Sequence, residues 1–380
     1  MRTMNFVRFF SKLGALDLMC KTPAPENRPQ GIFRKEFFLP GSNWTADKTE
    51  GCLTTRLHRL IRRSPWIVDD ISIRTKREFL SILDSEKYDF VLVRQVLNTG
   101  YIFDLPINYR KRVIVDYDDI FSDSLFAVYH GEGKTLYSKL RLQLERRILR
   151  NYEKRCLKLG AALFCSVEDK GRIVGPEGKG NAHIVPNIYE NESFRKFEFG
   201  EGFGNLGSIL FVGTVDYKPN REGLTWFLEE IYPSILDRFP KTKLSIVGHS
   251  LKYKEFFCNI PGVQFHPNVP DVRPFYRDCG AVVVPLLSGG GTRVKILEAG
   301  LAGRPVLTTP LGAYGLGLVD GRDAMFFSNR ESLLSQYAKL FQKNFYQSLV
   351  NHLRDVVISK YSQARFNDAM QRVIASLQIN

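Results

Sequence analysis

Along the second half of the chain, short runs of valine, isoleucine and leucine alternate with stretches whose apolar positions recur every three or four residues. The runs at 209–212, 244–247, 263–265, 281–285 and 305–308 predict strands. The periodic stretches at 224–238, 272–279, 292–302 and 331–342 predict helices between them. Continuous apolar strands alternating with amphipathic helices are the pattern of βαβ units and a parallel sheet. The first half repeats this grammar less cleanly, with strands at 90–94, 113–116, 161–166 and 183–186 and a long charged helix over 136–159. Residues 187–208 are polar, glycine-rich and aromatic without a period, which is the character of a connection. The expected organisation is therefore an α/β domain over 1–187, a linker at 188–207, a second α/β domain over 208–360 and a final helix within 361–380. That helix carries apolar Phe366, Met370, Val373, Ile374 and Leu377 on one face and is expected to cross back to the first domain. Two such domains face one another across a cleft, and open α/β sheets bind ligands at the carboxyl ends of their strands.

Composition fits this picture. A chain of 380 residues is too long for one ordinary core. Its 44% hydrophobic and 25% charged residues are those of a globular protein. No apolar run reaches the ~18–20 residues that cross a bilayer. The first twenty residues are interrupted by Arg8, Lys12 and Asp17 and lack a signal-peptide core, so the chain is read as cytoplasmic. Its cysteines form no CxxC pair, and its histidines have no metal-ligand spacing, so neither a zinc site nor a disulfide framework is expected.

Charge adds a question. The net charge is +14, of which residues 1–200 carry +9 and residues 201–380 carry +5. A basic surface attracts nucleic acid, acidic lipid or phosphorylated substrates alike. The segment RLHRLIRR at 56–63, if helical, lines Leu57, Leu60 and Ile61 on one side with arginines flanking them. That pattern suits an interfacial helix on an anionic membrane and, equally, a helix packed on a domain core.

The most informative stretch is VVPLLSGGGTRVKILEAGLAGRPV, residues 283–306. A buried strand leads into a loop with Gly289, Gly290, Gly291 and Thr292, and a helix then opens with Arg293, Lys295 and Glu298. Glycines let a backbone approach a ligand closely, and a helix N-terminus directs N–H groups and partial positive charge at it. With Arg293 and Lys295 behind, the preferred ligand is an anion, most simply a diphosphate. Glu298, one to two turns into the helix, suits hydrogen bonds from sugar hydroxyls. Ala299, Gly300, Ala302 and Gly303 then bring the helix end close to the next strand. In FVGTVDYKPNREG, residues 211–223, a strand ends at Gly213, and Lys218 and Arg221 follow in a loop able to close over a phosphate. In VIVDYDDIFSDS, residues 113–124, Asp116 directly follows an apolar run and is the best candidate among four aspartates for a base or a substrate-hydroxyl acceptor. Asp123 reads equally as a helix cap. Asp116 and Glu298 are thus the candidate catalytic carboxylates, and no metal site is expected.

These residues also carry a resemblance. LSGGGTRVKILEAGLAGRPVLTT is similar to the donor-binding signature of family-4-like, or group 1, retaining glycosyltransferases. FVGTVDYKPNREGLTWFLEEIYPSILDRFPKTKLSIVG, VPDVRPFYRDCGAVVVP, VDYDDIFSDS and HIVPN resemble other parts of the same proteins, notably sugar transferases of exopolysaccharide clusters. The resemblance spans roughly residues 90–375. It implies a GT-B fold of two Rossmann-like domains, a nucleotide-diphosphate-sugar donor, a glycan or lipid-linked acceptor, retention of anomeric configuration, and no cofactor or essential metal. It places the donor phosphates at the loop 289–292 and near Arg293 or Lys295, and the nucleotide ribose at Glu298. Three departures stand out. Gly290 replaces a glutamate that contacts the donor sugar, and Thr214 and Asn220 occupy the places of a basic pair, for which Lys218 or Arg221 substitutes. At the N-terminus, MNFVRFFSKLG reads as a helix followed by a strand in ALDLMC, so the first strand of the N-terminal domain is missing.

Other functions are weaker on the residues. A sugar-nucleotide epimerase of the same fold needs several acids and bases around the sugar. A nucleic-acid-binding protein needs interleaved aromatic and basic residues, which are absent as a motif, so no nucleic-acid partner is expected. A nicotinamide-dependent dehydrogenase needs a GxGxxG after a first strand.

Overall fold

The computed structural model describes residues 2–20, 31–39, 65, 68, 73–124, 136–175, 178, 180–189, 192–249, 253, 257 and 259–377. The segment 56–63, read as a possible interfacial helix, lies outside them. The chain divides into two compact units, Met1–Val185 with Asn367–Asn380, and Pro186–Phe366. Residues from Asn367 onward, most of the last helix (Gln363–Ser376), thus group with the first unit.

The first unit opens on a helix, Arg2–Phe10, with Phe6, Val7 and Phe9 buried. Strands β1 (Leu18–Cys20) and β2 (Glu36–Phe38) pair in parallel as a sheet of their own. Strands β3 (Val91–Arg94), β4 (Val113–Tyr117), β5 (Ala161–Phe164) and β6 (Ala182–Ile184) form a second parallel sheet in that order. Among the described residues no strand joins the two sheets. β5 is an uninterrupted apolar run and β4 is apolar but for Asp116, and both are buried along their whole length. The long helix ends at Cys156 rather than at 159. Gly160 then lies so near the preceding strand entry that a Cβ there would stand 2.3 Å from the Lys111 carbonyl oxygen.

One polar residue sits inside β4. Asp116 is fully buried. Arg2 Nε donates to its Oδ1 at 2.9 Å and its Oδ2 at 3.1 Å, and Arg2 Nη2 donates to Oδ1 at 2.6 Å. Arg94 Nη1 touches Oδ2 from β3, while its Nη2 donates to Asp118 at 3.0 Å. Arg2 Nη1 closes the knot on the Val185 carbonyl at 2.9 Å. The residue marked by sequence as a candidate base therefore has both oxygens committed and no exposure. Its position after an apolar run is that of a strand interior, and its charge neutralises arginines.

In the second unit six parallel strands run in the order β12-β11-β10-β7-β8-β9. They are β7 (Ser208–Val212), β8 (Lys243–Gly248), β9 (Val263–Pro267), β10 (Ala281–Val284), β11 (Val306–Thr308) and β12 (Met325–Phe326). The chain builds outward from β7 in one direction through β9, then restarts at β10 in the other. Between β7 and β10 the order reverses, and a crevice opens there at the carboxyl ends of the strands. The stretch 188–207 is not a bare linker but part of this unit. Phe194 is 1% exposed and meets Tyr189 and Tyr276 edge-on. Arg304, also 1% exposed, donates to the carbonyls of Phe199 at 2.6 Å and Gly200 at 3.1 Å. The aromatic residues that hide any period in this stretch are the ones that anchor it.

Asp116→Asn removes the buried carboxylate that Arg2 and Arg94 share and leaves both guanidiniums to Asp118. Breaking a buried pair from one side costs about 3–5 kcal/mol. Denaturant unfolding of this variant should show that loss, and a loss below about 1 kcal/mol would contradict the structural role.

Candidate active site

The crevice is framed by two turns. After β7 the chain passes Gly213 and enters helix Lys218–Trp226, with Pro219 in its first turn. After β10 it passes the glycine loop and enters helix Val294–Leu301. The two turns are drawn together by glycine. A Cβ on Gly223 would lie 2.2 Å from the Pro285 carbonyl oxygen, and one on Gly213 would lie 2.8 Å from Lys295 Nζ. Between them is a cavity of about 360 Å³ lined by residues that include Gly213, Tyr217, Asn220, Ser288, Gly290, Thr292, Lys295 and Glu298.

Within the loop, Gly289 and Gly291 take positive φ values of 100° and 77°. Arg293 does not reach out of this loop. Its Nη1 donates to the Gly291 carbonyl at 2.7 Å and also contacts the Gly290 carbonyl, and its Nη2 donates to the Gly289 carbonyl at 2.7 Å. The side chain is 7% exposed. Arg293 thus braces the loop while also lining the cavity. The N–H groups of Gly290, Gly291 and Thr292 donate to no acceptor among the described residues. Thr292 Oγ1 is held by Asn187 Nδ2 at 3.2 Å.

Lys295 lines the same cavity as Arg293. Its Nζ donates to Asn220 Oδ1 at 3.1 Å and stands 4.5 Å from the centroid of the Phe211 ring. No carboxylate lies within ion-pair distance of it among the described residues. Burial, and then the nearby Arg293 guanidinium, pull the Lys295 ammonium down to about 7. Glu298, one turn on, accepts from the Tyr276 hydroxyl at 2.8 Å. Burial pushes the Glu298 carboxyl above its usual range, against the opposing pull of the Tyr276 and Tyr189 hydroxyls.

Of the residues expected at this site, Gly213, Gly290, Thr292, Arg293, Lys295 and Glu298 line the cavity, and Gly289 and Gly291 shape its loop. Lys218 and Arg221 do not line it. Lys218 lies 3.5 Å from Glu222, and Arg221 packs over the Tyr253 ring while donating to the Asp216 carbonyl. The helix begins at Lys218 itself rather than after a longer loop, and Tyr217, Pro219 and Asn220 are the residues of this turn that line the cavity. Sequence reasoning passed over Tyr217, which lines the cavity, and Tyr276, which holds Glu298. Tyr276 lies in a different helix, Arg273–Asp278, and no local pattern pairs it with residue 298.

Two parallel α/β units, with an anion-ready pocket at the switch point of the second, define a GT-B architecture. Residues 207–343 match the family model described as glycosyl transferases group 1, so the second unit carries a group 1 glycosyltransferase domain. The chain is similar to an uncharacterized 44.6 kDa protein in the cps region of Klebsiella pneumoniae, with 24% identity over 81% of this chain and 78% of that one. Among solved structures it is similar to sucrose-phosphate synthase from Thermosynechococcus elongatus, at 14% identity and TM-score 0.66, covering 99% of this chain and 92% of that one. It is similar to WaaG, a glycosyltransferase involved in lipopolysaccharide biosynthesis, at 15% identity and TM-score 0.59, covering 99% and 96%. It is also similar to TarM, at 13% identity and TM-score 0.58, where 80% of this chain spans 59% of that one. A variant of the S. aureus TarM was solved in complex with UDP.

Gly223→Ala should separate the two turns that frame the cavity, because the added methyl meets backbone. The expected outcome is a folded protein, by circular dichroism, whose nucleotide affinity falls about tenfold, or 1.4 kcal/mol. Unchanged affinity would mean that the cavity does not depend on this contact.

Proposed function

We propose that this chain transfers a sugar from a nucleotide-diphosphate sugar to a glycan or lipid-linked acceptor in surface polysaccharide synthesis, with retention of configuration. The observation that carries this is a half-buried ammonium, Lys295, set beside the open N–H groups of Gly290, Gly291 and Thr292 in one cavity. Such a site holds a diphosphate and stabilises the charge that develops on it as the sugar–phosphate bond breaks. The protein supplies this positive potential itself, which supports transfer without an essential metal or further cofactor. Glu298 then accepts from hydroxyls of the ribose or the sugar, with Tyr276 fixing its orientation. The UDP of the TarM complex, the lipopolysaccharide role of WaaG and the cps-region origin of the Klebsiella protein support the donor type and the polysaccharide setting.

Lys295→Ala should raise the dissociation constant for the donor at least about tenfold, or 1.4 kcal/mol. Isothermal titration with UDP-, GDP-, ADP- and dTDP-sugars identifies the donor in the wild type first. If the wild type binds one of them and Lys295→Ala binds it equally well, the site assignment fails.

The same lysine sets a pH dependence. A nucleotide sugar keeps its diphosphate charge across neutral pH, so only the protein titrates. The ammonium needed for binding is present below about 7 and is lost from the free protein above it. Donor affinity should therefore be full on the acid side and fall on the alkaline side, by at most about tenfold per pH unit. Lys295→Ala should flatten that alkaline limb. Glu298→Gln should weaken binding and turnover together while leaving the limb in place, and a shifted acidic limb of the rate profile would identify Glu298 as a proton carrier instead.

A further inference from the structure

The helix Leu136–Cys156 presents a face that the donor site does not use. Its inner side is fixed. Leu149, Tyr152 and Cys156 are buried in the core of the first unit. Glu153 accepts from the Ser122 N–H at 3.0 Å and from the Ser122 hydroxyl at 2.5 Å. Asp123 accepts from Arg146 at 2.8 Å, from Arg150, and from Arg172 at 3.3 Å. Burial would raise the Asp123 carboxyl, but the Arg146 and Arg150 guanidiniums hold it below its usual range. These contacts set the rotation of the helix about its axis.

With that rotation, positions 140, 144, 147, 151 and 154 fall along one outward stripe, at successive steps of three or four residues. Leu140 is 57% exposed and Leu144 is 55% exposed. Arg147, Asn151 and Lys154 continue the stripe, and exposed Lys139, Arg141, Arg155 and Lys158 flank it. No acidic residue is exposed between 139 and 158: Glu145 is half-buried and Glu153 is buried. Two leucines one turn apart in water, among exposed cations and neutral polar residues with no exposed acid between 139 and 158, gain nothing from this fold.

We propose that this face docks the first unit onto an anionic lipid surface, with Leu140 and Leu144 entering the headgroup boundary and the surrounding lysines and arginines meeting lipid phosphates. Apolar insertion and charge attraction then act together, as on interfacial helices. Nucleic acid would satisfy the cations but leave the leucines in water. The proposal is independent of which donor the second unit binds.

The test is sedimentation of the full chain with vesicles of neutral phosphatidylcholine, or with roughly one-third phosphatidylglycerol, at low and physiological salt. The expected result is pelleting with the acidic vesicles only. Leu140→Asn with Leu144→Asn, and separately Arg147→Gln with Lys154→Gln, should each lower the partition coefficient about tenfold. Lys339→Gln with Lys343→Gln removes as much charge elsewhere and should leave it unchanged. Leu144→Trp should blue-shift its emission on acidic vesicles. Equal pelleting on neutral vesicles, face variants that partition as the wild type, an equal effect of the control pair, or an unmoved emission would each overturn the proposal. So would loss of single-stranded oligonucleotide binding in the Arg147/Lys154 variant alongside no vesicle pelleting, which would assign the face to nucleic acid.

Discussion

The contact between Gly223 and the Pro285 carbonyl governs the second unit. Helix Lys218–Trp226 follows β7, and Pro285 follows β10, so two backbones meet directly across the switch point of the sheet. Any side chain at 223 would hold them apart. Because they meet, Asn220, three residues earlier on the same helix, comes within hydrogen-bond distance of Lys295 on the helix after β10. Gly213 adds the matching omission on the β7 side, where a Cβ would crowd both Lys295 Nζ and Asn220 Nδ2. The cavity is therefore made by absent side chains at 213 and 223 as much as by the residues that line it.

A chain of net charge +14 invites the assumption that its positive charge lies on the surface. Three of its arginines show otherwise. Arg2 is 5% exposed, Arg293 7% and Arg304 1%. Each plays a different internal role. Arg2 neutralises Asp116, and Arg293 gathers loop carbonyls. Arg304 ties 199–200 to the helix Arg273–Asp278 through the Tyr276 and Arg277 carbonyls. A planar guanidinium with five donors suits all three, because it satisfies several acceptors at once from one buried point. Charge bookkeeping along the sequence cannot separate these from the exposed cations of the helix Leu136–Cys156. Only burial does.

Five of the six strands of the second unit were legible as short, mostly apolar runs bounded by glycine, proline or charge, whereas β12, two residues long, is too short to show a pattern. The glycine loop was legible because residues 289–291 stand between an apolar strand and a helix that opens with Arg293 and Lys295 and ends in small residues, a combination that a plain strand-to-helix turn does not need. What the sequence hid were relations between elements. Asp116 follows an apolar run, and so does a catalytic carboxylate in a strand-end loop. The difference lies in Arg2, more than a hundred residues away, which no window around 116 contains. Lys218 and Arg221 looked like phosphate ligands because they follow β7, but the helix starts at residue 218, and it is Asn220 rather than either of them that lines the cavity. The aromatic run in 194–203 looked unstructured because it packs as single contacts rather than with a period.

Arg293 and the open N–H groups of the loop are two sides of one arrangement. In a trans peptide the carbonyl of one residue and the N–H of the next point in opposite directions. The guanidinium draws the carbonyls of Gly289, Gly290 and Gly291 to one side. The N–H groups of Gly290, Gly291 and Thr292 must then point to the other. Three successive carbonyls cannot converge on one point in ordinary helical or extended backbone, and the positive φ angles at Gly289 and Gly291 supply the turn. An arginine that gathers the loop carbonyls thus turns a row of N–H donors to the other side, while Lys295, a compact charge on the next turn, binds no loop carbonyl and instead donates to Asn220. The two basic residues of the motif are not a pair with one shared role. One shapes the backbone field, and the other completes it.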